Sequence, residues 1–301
     1  MKKLYAISFL FLLLAAAAAA EPVELRYRFT PGDHMEYIMT VGGEGEIEMV
    51  MTGAAKKEIP VDMDILMRLS TDVKSVDDDG LALLESTITR YLISQGGEPM
   101  MDYSADKDPD DEATAEMMKL FAEPLVMKVD DRGGVKEVSG MEKLAEISPQ
   151  FDIAELLSRM QQPFPDHPVE IGETWTQSAA IGGGGAGSEE QEITSNFEFV
   201  GYETVKDLNC VKIKTSFIGD MSGIMESMIS QFPMAKNAQV EYLMMNLSGH
   251  MFFQPDAGIL IAMEFNMKQD MAMTVDIALG KEAKTMKMKM TMNMEGVYEL
   301  E

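Results

Sequence analysis

The chain has 301 residues, 51 of them acidic and 25 basic, and therefore a formal net charge of −26. This acidic balance disfavours nucleic acid and anionic membrane surfaces as partners. The single cysteine, Cys210, excludes a disulfide within the chain, and we expect it to be buried in an apolar strand. The length is sufficient for a large core in one elongated domain or two close-packed halves.

The first twenty residues have the pattern of a secretory signal peptide. A basic head at Lys2 and Lys3 precedes an apolar run over residues 4–14 and a series of alanines that ends at Ala20. This pattern predicts export and cleavage after Ala20. No cysteine lies near the cut, and no later run is long and apolar enough to cross a bilayer. We therefore expect a soluble periplasmic or secreted protein that is not a lipoprotein and has no membrane span after cleavage.

Residues 21–95 are predicted to form a first β unit. Leu25, Tyr27 and Phe29 alternate with arginines, which predicts a strand that ends at the following Pro-Gly-Asp turn. Further alternating strands follow, interrupted by the glycines of residues 42–45 and joined by a hairpin turn at residues 77–80. Alternation of this kind indicates antiparallel strands with one face exposed to water.

Residues 96–168 are predicted to form a helical middle segment that contains one short hairpin, at residues 125–138. An acidic loop leads into a helix at residues 113–122, and apolar residues at helical spacing predict another helix at residues 153–160. The acidic loop lacks the glycine and the glutamate that a calcium-binding loop has at its sixth and twelfth positions. We therefore expect a solvated loop whose aspartates cap the helix.

Residues 169–301 are predicted to form a second β unit. The segment Gly172-Glu173-Thr174-Trp175 resembles the segment that begins at Gly32, where a glycine and an acid also precede an aromatic strand. This similarity suggests two related β units. Within the second unit, residues 221–232 carry an apolar stripe at helical spacing, with Asp220 as the N-cap.

The strongest pattern lies in the last two strands. Apolar residues occupy odd positions between Ile259 and Leu279 and even positions between Met286 and Met294. Strict alternation places each set on one face of a strand, and we predict a hairpin with Met286 opposite Leu279. Gln269 interrupts the apolar series, which predicts a bulge near residues 268–270.

These elements together predict a β-dominated α+β fold. We expect a long, curved antiparallel sheet, half-barrel-like, built from two related halves. Three or four helices should pack on one face, because the stripe of residues 221–232 must be covered by an apolar surface.

The chain resembles an uncharacterised family of exported bacterial β-rich proteins, a domain of unknown function. The resemblance rests on the Tyr-Arg-Phe-x-Pro-Gly-Asp motif of residues 27–33, the segment of residues 164–175 and the turn of residues 253–258. In architecture the chain is more distantly similar to the LolA and LppX type of lipoprotein carriers. That second resemblance implies a curved sheet that covers helices and encloses an apolar cavity. Neither resemblance implies catalytic residues.

No arrangement of reactive side chains predicts an enzyme, a cofactor or a metal site. The three histidines, His34, His167 and His250, lack the spacing of metal ligands. A G-x-G-x-x-G match at residues 182–187 precedes a predicted strand, whereas phosphate binding requires a helix there. An S-x-x-K match at residues 104–107 lies in a loop without the companion motifs of that chemistry. We therefore predict a non-enzymatic protein.

Methionine is unusually abundant, with 30 residues in the chain. In one interpretation these flexible side chains only fill an ordinary core. In a second, a pliable apolar face binds a hydrophobic guest, because unbranched thioethers can repack around varied ligands. In a third, thioether sulfurs bind Cu(I), although no histidine lies among them.

We predict an exported envelope protein that binds a lipid-like small molecule between a methionine-rich sheet face and the helix of residues 221–232. The alternative is a structural or protein-interaction module with a fully packed core, and Cu(I) binding is a minor alternative. The candidate binding residues are those of the last hairpin and of the helix: Met263, Phe265, Met267, Met271, Met273, Met288, Met290, Met292, Met294, Met221, Met225, Met228 and Phe232.

Overall fold

The computed structural model describes residues 21–106, 123–140, 164–181, 191–230, 235–279 and 282–301. These residues form twelve strands and one helix. In chain order the strands are β1 (His34–Met51), β2 (Lys57–Val76), β3 (Ala82–Gln95), β4 (Glu98–Ser104), β5 (Leu125–Val129), β6 (Val135–Ser139), β7 (Thr174–Ile181), β8 (Gln191–Val205), β9 (Leu208–Asp220), β10 (Ala235–Gln254), β11 (Ile259–Leu279) and β12 (Glu282–Leu300), and the helix α1 is Ser222–Ser230.

All twelve strands belong to one antiparallel sheet. Its order is β6-β5-β3-β2-β1-β12-β11-β10-β9-β8-β7, and β4 pairs with β3 beside this path. The first long strand, β1, lies next to the last, β12, so the pairing of the chain's two ends occupies the centre of the sheet. Strands from both predicted β units therefore form one continuous layer.

The predicted α+β class with three or four helices on one face is wrong. The described residues are almost entirely strand, and they contain a single short helix, α1. Long alternating strands cover much of their side-chain surface with cross-strand neighbours, so helices are not needed along most of the sheet. The helices predicted at residues 113–122 and 153–160, and the glycine motif at residues 182–187, lie outside the described residues. The described chain has no helix with the length and hydropathy needed to cross a bilayer.

The strand predicted over residues 25–29 is not formed. This segment is extended but crosses the sheet, so its backbone bonds go to several elements in turn. Val23 forms an isolated bridge with Val169, and the Arg28 amide donates to the Gly258 carbonyl at 3.0 Å. The alternation correctly indicated extended backbone with one apolar side, but such a pattern does not show whether an extended segment runs along a sheet or across it.

Strand β1 continues through residues 42–45, where a break was predicted. Two of these glycines, Gly43 and Gly45, lie where atoms of the neighbouring strand β12 approach closely. A Cβ added at Gly45 would lie 2.2 Å from the backbone oxygen of Thr291, and one at Gly43 would lie 3.0 Å from Cγ of Met294. In this strand glycine marks close contact between backbones rather than a turn.

Strands β11 and β12 form the predicted hairpin in a different register. Met286 lies opposite Val275 instead of Leu279, and Leu279 pairs with Glu282. Strand β11 ends at Leu279 and β12 begins at Glu282, so the two strands pair closer to their connection than predicted. Because the shift is an even number of residues, the methionines of both strands still share one face.

The bulge predicted near residues 268–270 is not formed. The pairing of β11 with both neighbours is continuous there, and the irregularities of the β10–β11 pair lie at residues 236–242 and 252–253. Gln269 remains in register, half-buried and opposite Met292. Gln269 thus places a polar side chain in the apolar series but leaves the backbone pairing of β11 regular.

The turns that begin β1 and β7 have the same geometry. Gly32 has a φ of +95° and Gly172 a φ of +88°, a region that favours glycine. The amide of each glycine donates to a carbonyl of the adjacent strand, at 2.8 Å and 2.7 Å respectively. In each turn the next residue, Asp33 or Glu173, accepts a backbone hydrogen bond at its carboxylate. The division of the chain into two related units stays a prediction, but these two turns match in detail.

The predicted turn at residues 77–80 and the burial of Cys210 are confirmed. Asp77 and Gly80 close the β2–β3 hairpin, where the Gly80 amide donates to the Asp77 carbonyl at 3.0 Å. Lys206 and Asp207 form the β8–β9 turn, with φ values of 50° and 63°. Cys210 is fully buried, and burial raises the pKa of its thiol.

Candidate functional site

One face of the central strands β2, β1, β12 and β11 carries most of the methionines that the structure describes, and we call it the methionine face. Its side chains form rows across the strands: Met49 lies opposite Met288, which lies opposite Met273. On β2, Val61 and Met63 continue the same face beside β1. The alternation of each strand is responsible, because every second side chain points to one side of the sheet.

Part of this face packs beneath helix α1, and we call this part the covered group. Met271 and Met273 are only 4% and 7% exposed, so they are core residues. Met225 and Ile229 of the helix, and Met221 just before it, pack against the same cluster. The covered group consists of Met221, Met225, Ile229, Val240, Leu243, Met271, Met273, Val275, Met286, Met288 and Met290.

The rest of the methionine face forms a second cluster, which we call the open group. Met292, Met294 and Val41 are buried at its centre, while the side chains around them are half-buried. Those surrounding residues are Met39, Val61, Met63, Ile65, Phe265 and Met267. Unlike the covered group, this cluster includes no helical residue of the described chain.

The structure therefore divides the predicted binding residues. Met221, Met225, Met271, Met273, Met288 and Met290 lie in the covered group, and Phe265, Met267, Met292 and Met294 lie in the open group. Met263 lies further along the same face, opposite Tyr298. The side chain of Met228 and all of Phe232 lie outside the described residues.

Five residues of the open group were not predicted as binding residues. Met39, Val41, Val61, Met63 and Ile65 come from β1 and β2, near the start of the chain. Their alternation was visible in the sequence. What could not be seen was that β1 pairs with β12, which brings these residues beside the last hairpin.

Helix α1 is held to the sheet through its first turn. The Asp220 carboxylate accepts hydrogen bonds from the amides of Ser222 at 2.9 Å and Leu243 at 3.2 Å. The Met221 amide donates to the Leu243 carbonyl at 2.7 Å. The predicted N-cap is thus confirmed, and it also ties the helix to β10.

We expect Asp220→Ala to destabilise the protein by about 1–2 kcal/mol, because two amides lose their acceptor at once. Asp220→Asn, which keeps an acceptor oxygen, is the control and should lose less than half as much. Urea unfolding followed by circular dichroism measures both variants. Equal stabilities of Asp220→Ala and the unchanged protein would contradict this role of the cap.

Aromatic rings close one end of the apolar interior. The ring of Tyr27 stacks on Phe164 with centroids 5.3 Å apart, and Phe253 meets both rings edge-on, at 5.3 Å and 4.8 Å. Above them, Tyr37 stacks on Tyr298 at 4.7 Å and donates its hydroxyl to the Leu260 carbonyl. Burial raises the pKa of Tyr37 to about 12, so these phenols remain neutral at physiological pH.

The histidines lie at the surface or on the side away from the methionine face. His34 contacts Asp72 at 2.7 Å, and this hydrogen bond raises the pKa of His34 above its usual value. His167 contacts Glu173 at 2.7 Å with the same effect on its pKa. His250 pairs with Glu264 in the adjacent strand, and burial lowers its pKa.

A group of carboxylates on β1 and β2 comes closest to a cation site in the described ranges. Glu46, Glu48 and Glu58 place carboxylate oxygens within 4.8 Å of one another. The ammonium group of Lys56 bonds to Glu48 and lies 2.8 Å from Glu58. One cation of the protein itself therefore already contacts two of these three carboxylates.

A cavity of about 590 Å³ lies on the side of the sheet opposite the methionine face, which we call the polar face. It is lined by residues of β1, β2, β3, β11 and β12, among them Thr40, Asp64 and Glu295. No methionine lines this cavity, although Val41, Ile65 and Phe265 of the open group are among its lining residues. The half-buried methionines of the open group lie outside the cavity.

Comparison with known proteins assigns no family. No protein-family model and no curated protein matches the chain. Among solved structures it is similar to the outer membrane protein OprG from Pseudomonas aeruginosa, at 7% identity and a TM-score of 0.23, covering 90% of this chain and 98% of that chain. It is also similar to an outer membrane channel from Pseudomonas putida F1, at 9% identity and a TM-score of 0.21, covering 94% of this chain and 100% of that chain.

Similarities at these scores carry no functional argument. The expected likeness to LolA- and LppX-type carriers stays a prediction. The function must therefore be argued from the side chains of this chain.

Proposed function

We propose that this chain is an exported, non-enzymatic protein of the bacterial envelope that binds an apolar, lipid-like molecule on the open group. One observation carries the proposal: six apolar side chains of this cluster are only half-buried, although they adjoin the fully buried Met292 and Met294. Within the described residues they expose a continuous apolar surface around a packed centre. Such a surface gains free energy when a hydrophobic guest covers it.

The chemistry of this surface suits a flexible guest. Three of the six half-buried side chains, Met39, Met63 and Met267, are unbranched thioethers that change shape at low cost. The other side chains are aliphatic or aromatic, and none carries a charge. The surface therefore favours a hydrocarbon portion of a ligand and offers no partner to a buried charged group.

Helix α1 marks where the proposed binding surface ends. The helix already covers Met271 and Met273, so these residues act as core and not as contacts for a guest. Of the thirteen residues predicted from the sequence, Phe265 and Met267 fit the proposal best because they are half-buried in the open group. Met39 and Met63 are added to them.

A second candidate function is that of a protein-interaction module with a packed core. The burial of Met271, Met273, Met292 and Met294 favours it, because these side chains fill space as ordinary core residues do. The two candidate functions make different predictions only for the half-buried residues of the open group. A carrier needs them for binding, and a packed module does not.

We expect native mass spectrometry after mild extraction to show a co-purifying apolar molecule. In solution, the uncharged probe N-phenylnaphthylamine should bind with increased fluorescence. Met63→Gln should weaken this binding about tenfold, because the guest would then cover an amide with no hydrogen-bond partner.

The matched control is Met100→Gln, on β4, where the methionine is 68% exposed and lies outside the open group. It should leave probe binding unchanged. Thermal unfolding of both variants shows whether either substitution damages the fold. Ligand-free spectra together with equal probe binding in both variants would reject the proposal.

A further inference from the structure

Gln269 places an amide group within the methionine face. It is paired in register with both neighbouring strands, opposite Met292 of β12 and Met245 of β10. The nearest residues of β11 on the same face are Met267 and Met271, two positions away on either side. Four methionines therefore surround this glutamine, one in each direction across or along the sheet.

The amide of Gln269 has no hydrogen-bond partner among the residues that the structure describes. The side chain is half-buried, so water can still reach the amide in the unliganded protein. Methionine is an unbranched side chain of nearly the same length, and it occupies all four neighbouring positions. Packing at this position therefore does not require an amide.

Gln269 borders the open group. Its partner Met292 is one of the buried residues at the centre of that group, and Met267 is one of the half-buried residues around it. Paired strands lie about 5 Å apart and same-face residues of one strand roughly 7 Å apart, so a guest that covers Met267 and Met292 also reaches Gln269. A guest made only of hydrocarbon would remove water from the amide without replacing its hydrogen bonds, which costs free energy.

The surroundings of Gln269 carry no charge. Away from the ends of β1, β2, β11 and β12, every side chain on the methionine face is uncharged. The chain neighbours Lys268 and Asp270 point to the polar face, where they pair with each other at 2.9 Å. An anionic head group would therefore find no cation on this face of the described strands, and the formal net charge of −26 disfavours its approach.

We propose that Gln269 determines which class of lipid-like molecule binds to the open group: an uncharged acyl lipid whose head group carries ester or hydroxyl groups. This inference rests on the proposed binding of an apolar guest there. The amide N–H groups of Gln269 would donate to ester or hydroxyl oxygens of the head group, and the amide carbonyl would accept from a hydroxyl. Gln269 is thus a specificity-determining residue of the apolar site.

The position of Gln269 also gives the guest a direction. From Gln269 the open group continues along β11 through Met267 to Phe265, a distance of four residues or roughly 13 Å. On the other side of Gln269, helix α1 packs over the cluster that contains Met271. The head group would therefore lie on the side of the helix, and an acyl chain of medium length would extend toward Phe265.

Displacement of N-phenylnaphthylamine from the full chain tests this inference, with glycerol monolaurate as the uncharged lipid and laurate as its anionic counterpart. We expect glycerol monolaurate to displace the probe at a concentration about tenfold lower than laurate. Gln269→Met should weaken the binding of glycerol monolaurate about tenfold, because polar groups of the head group lose their partner. It should leave the binding of the probe itself unchanged, since the probe has no such head group.

The control variant is Asn266→Met, which removes an amide from the polar face of the same strand, where Asn266 is exposed. It should bind the probe and both lipids like the unchanged protein. Thermal unfolding shows whether either variant damages the fold, and the comparison of the two lipids in the unchanged protein depends on no variant.

The outcomes separate this inference from the proposed function. Equally tight binding of laurate and glycerol monolaurate, or unchanged binding of glycerol monolaurate by Gln269→Met, would overturn the role of Gln269 while probe binding still supports the apolar site. Equal weakening of probe and glycerol monolaurate by Gln269→Met would show a structural effect and overturn it as well. Failure of the unchanged protein to bind the probe would reject the proposed function, and this inference with it.

Discussion

Gly45→Ala is expected to destabilise the protein by about 2–4 kcal/mol, a loss typical of substitutions that force backbone apart in a packed region. The new Cβ would lie 2.2 Å from the Thr291 oxygen and 3.0 Å from the Met292 Cα. Both atoms belong to the backbone of β12, so no side-chain rotation relieves the clash. The central β1–β12 pairing would have to separate locally, which urea unfolding would detect as a lower midpoint.

Gly42→Ala is the matched control on the same strand. Its Cβ would meet only Asp64 Oδ1 at 3.5 Å, an ordinary contact, and the backbone of Gly42 does not have a positive φ. Replacing glycine by alanine in a strand that accepts it should leave stability unchanged or raise it by a few tenths of a kcal/mol. Similar losses in the two variants would contradict the close approach at Gly45.

Phe253→Ala is expected to cost about 3–5 kcal/mol, the range for removing a large buried aromatic side chain. Phe253 is fully buried and meets the rings of Tyr27 and Phe164 edge-on. Tyr27 belongs to the crossing N-terminal segment, and Phe164 precedes β7. Their contacts with β10 would be lost together, because the cavity lies where the three elements meet.

Tyr242→Ala is the control for Phe253→Ala, since Tyr242 lies in the same strand β10 but is 37% exposed. We expect it to cost less than about 1 kcal/mol. Differential scanning calorimetry of both variants gives the comparison. A loss for Phe253→Ala no larger than that for Tyr242→Ala would show that the aromatic cluster does not stabilise this end of the sheet.

The sequence was sufficient to predict which side chains share a face. Strict alternation in β11 and β12 placed Met271, Met273, Met288 and Met290 together, and the structure agrees. The exact register was not predictable in the same way, because any even shift preserves the face. In the observed register Leu279 pairs with Glu282, four residues before its predicted partner Met286.

Segments that cross the sheet and glycines within strands were harder to interpret. Residues 25–29 alternate like a strand, yet their position depends on contacts with elements distant in sequence. The glycines at residues 42–45 resemble a turn locally, but Gly43 and Gly45 lie where β12 approaches closely. Both errors arise from tertiary partners that a local pattern does not identify.

The candidate site was predictable only in part for the same reason. Phe265 and Met267 were identified from the last hairpin, whereas Met39 and Met63 depend on a pairing between opposite ends of the chain. The cavity of the polar face depends on that pairing too, since its lining residues Asp64 and Glu295 come from opposite ends of the chain.

The central position of the β1–β12 pair also has a consequence for how the molecule folds. Tyr37 pairs with Leu300, so the middle of the sheet cannot assemble until nearly all residues up to Leu300 have been synthesised. Contacts between such distant residues slow folding, because a long loop must close before they form. Until then β1 and β11 each retain an unpaired edge rich in methionine, a state prone to aggregation. A chain truncated before β12 should therefore aggregate rather than fold as a smaller sheet.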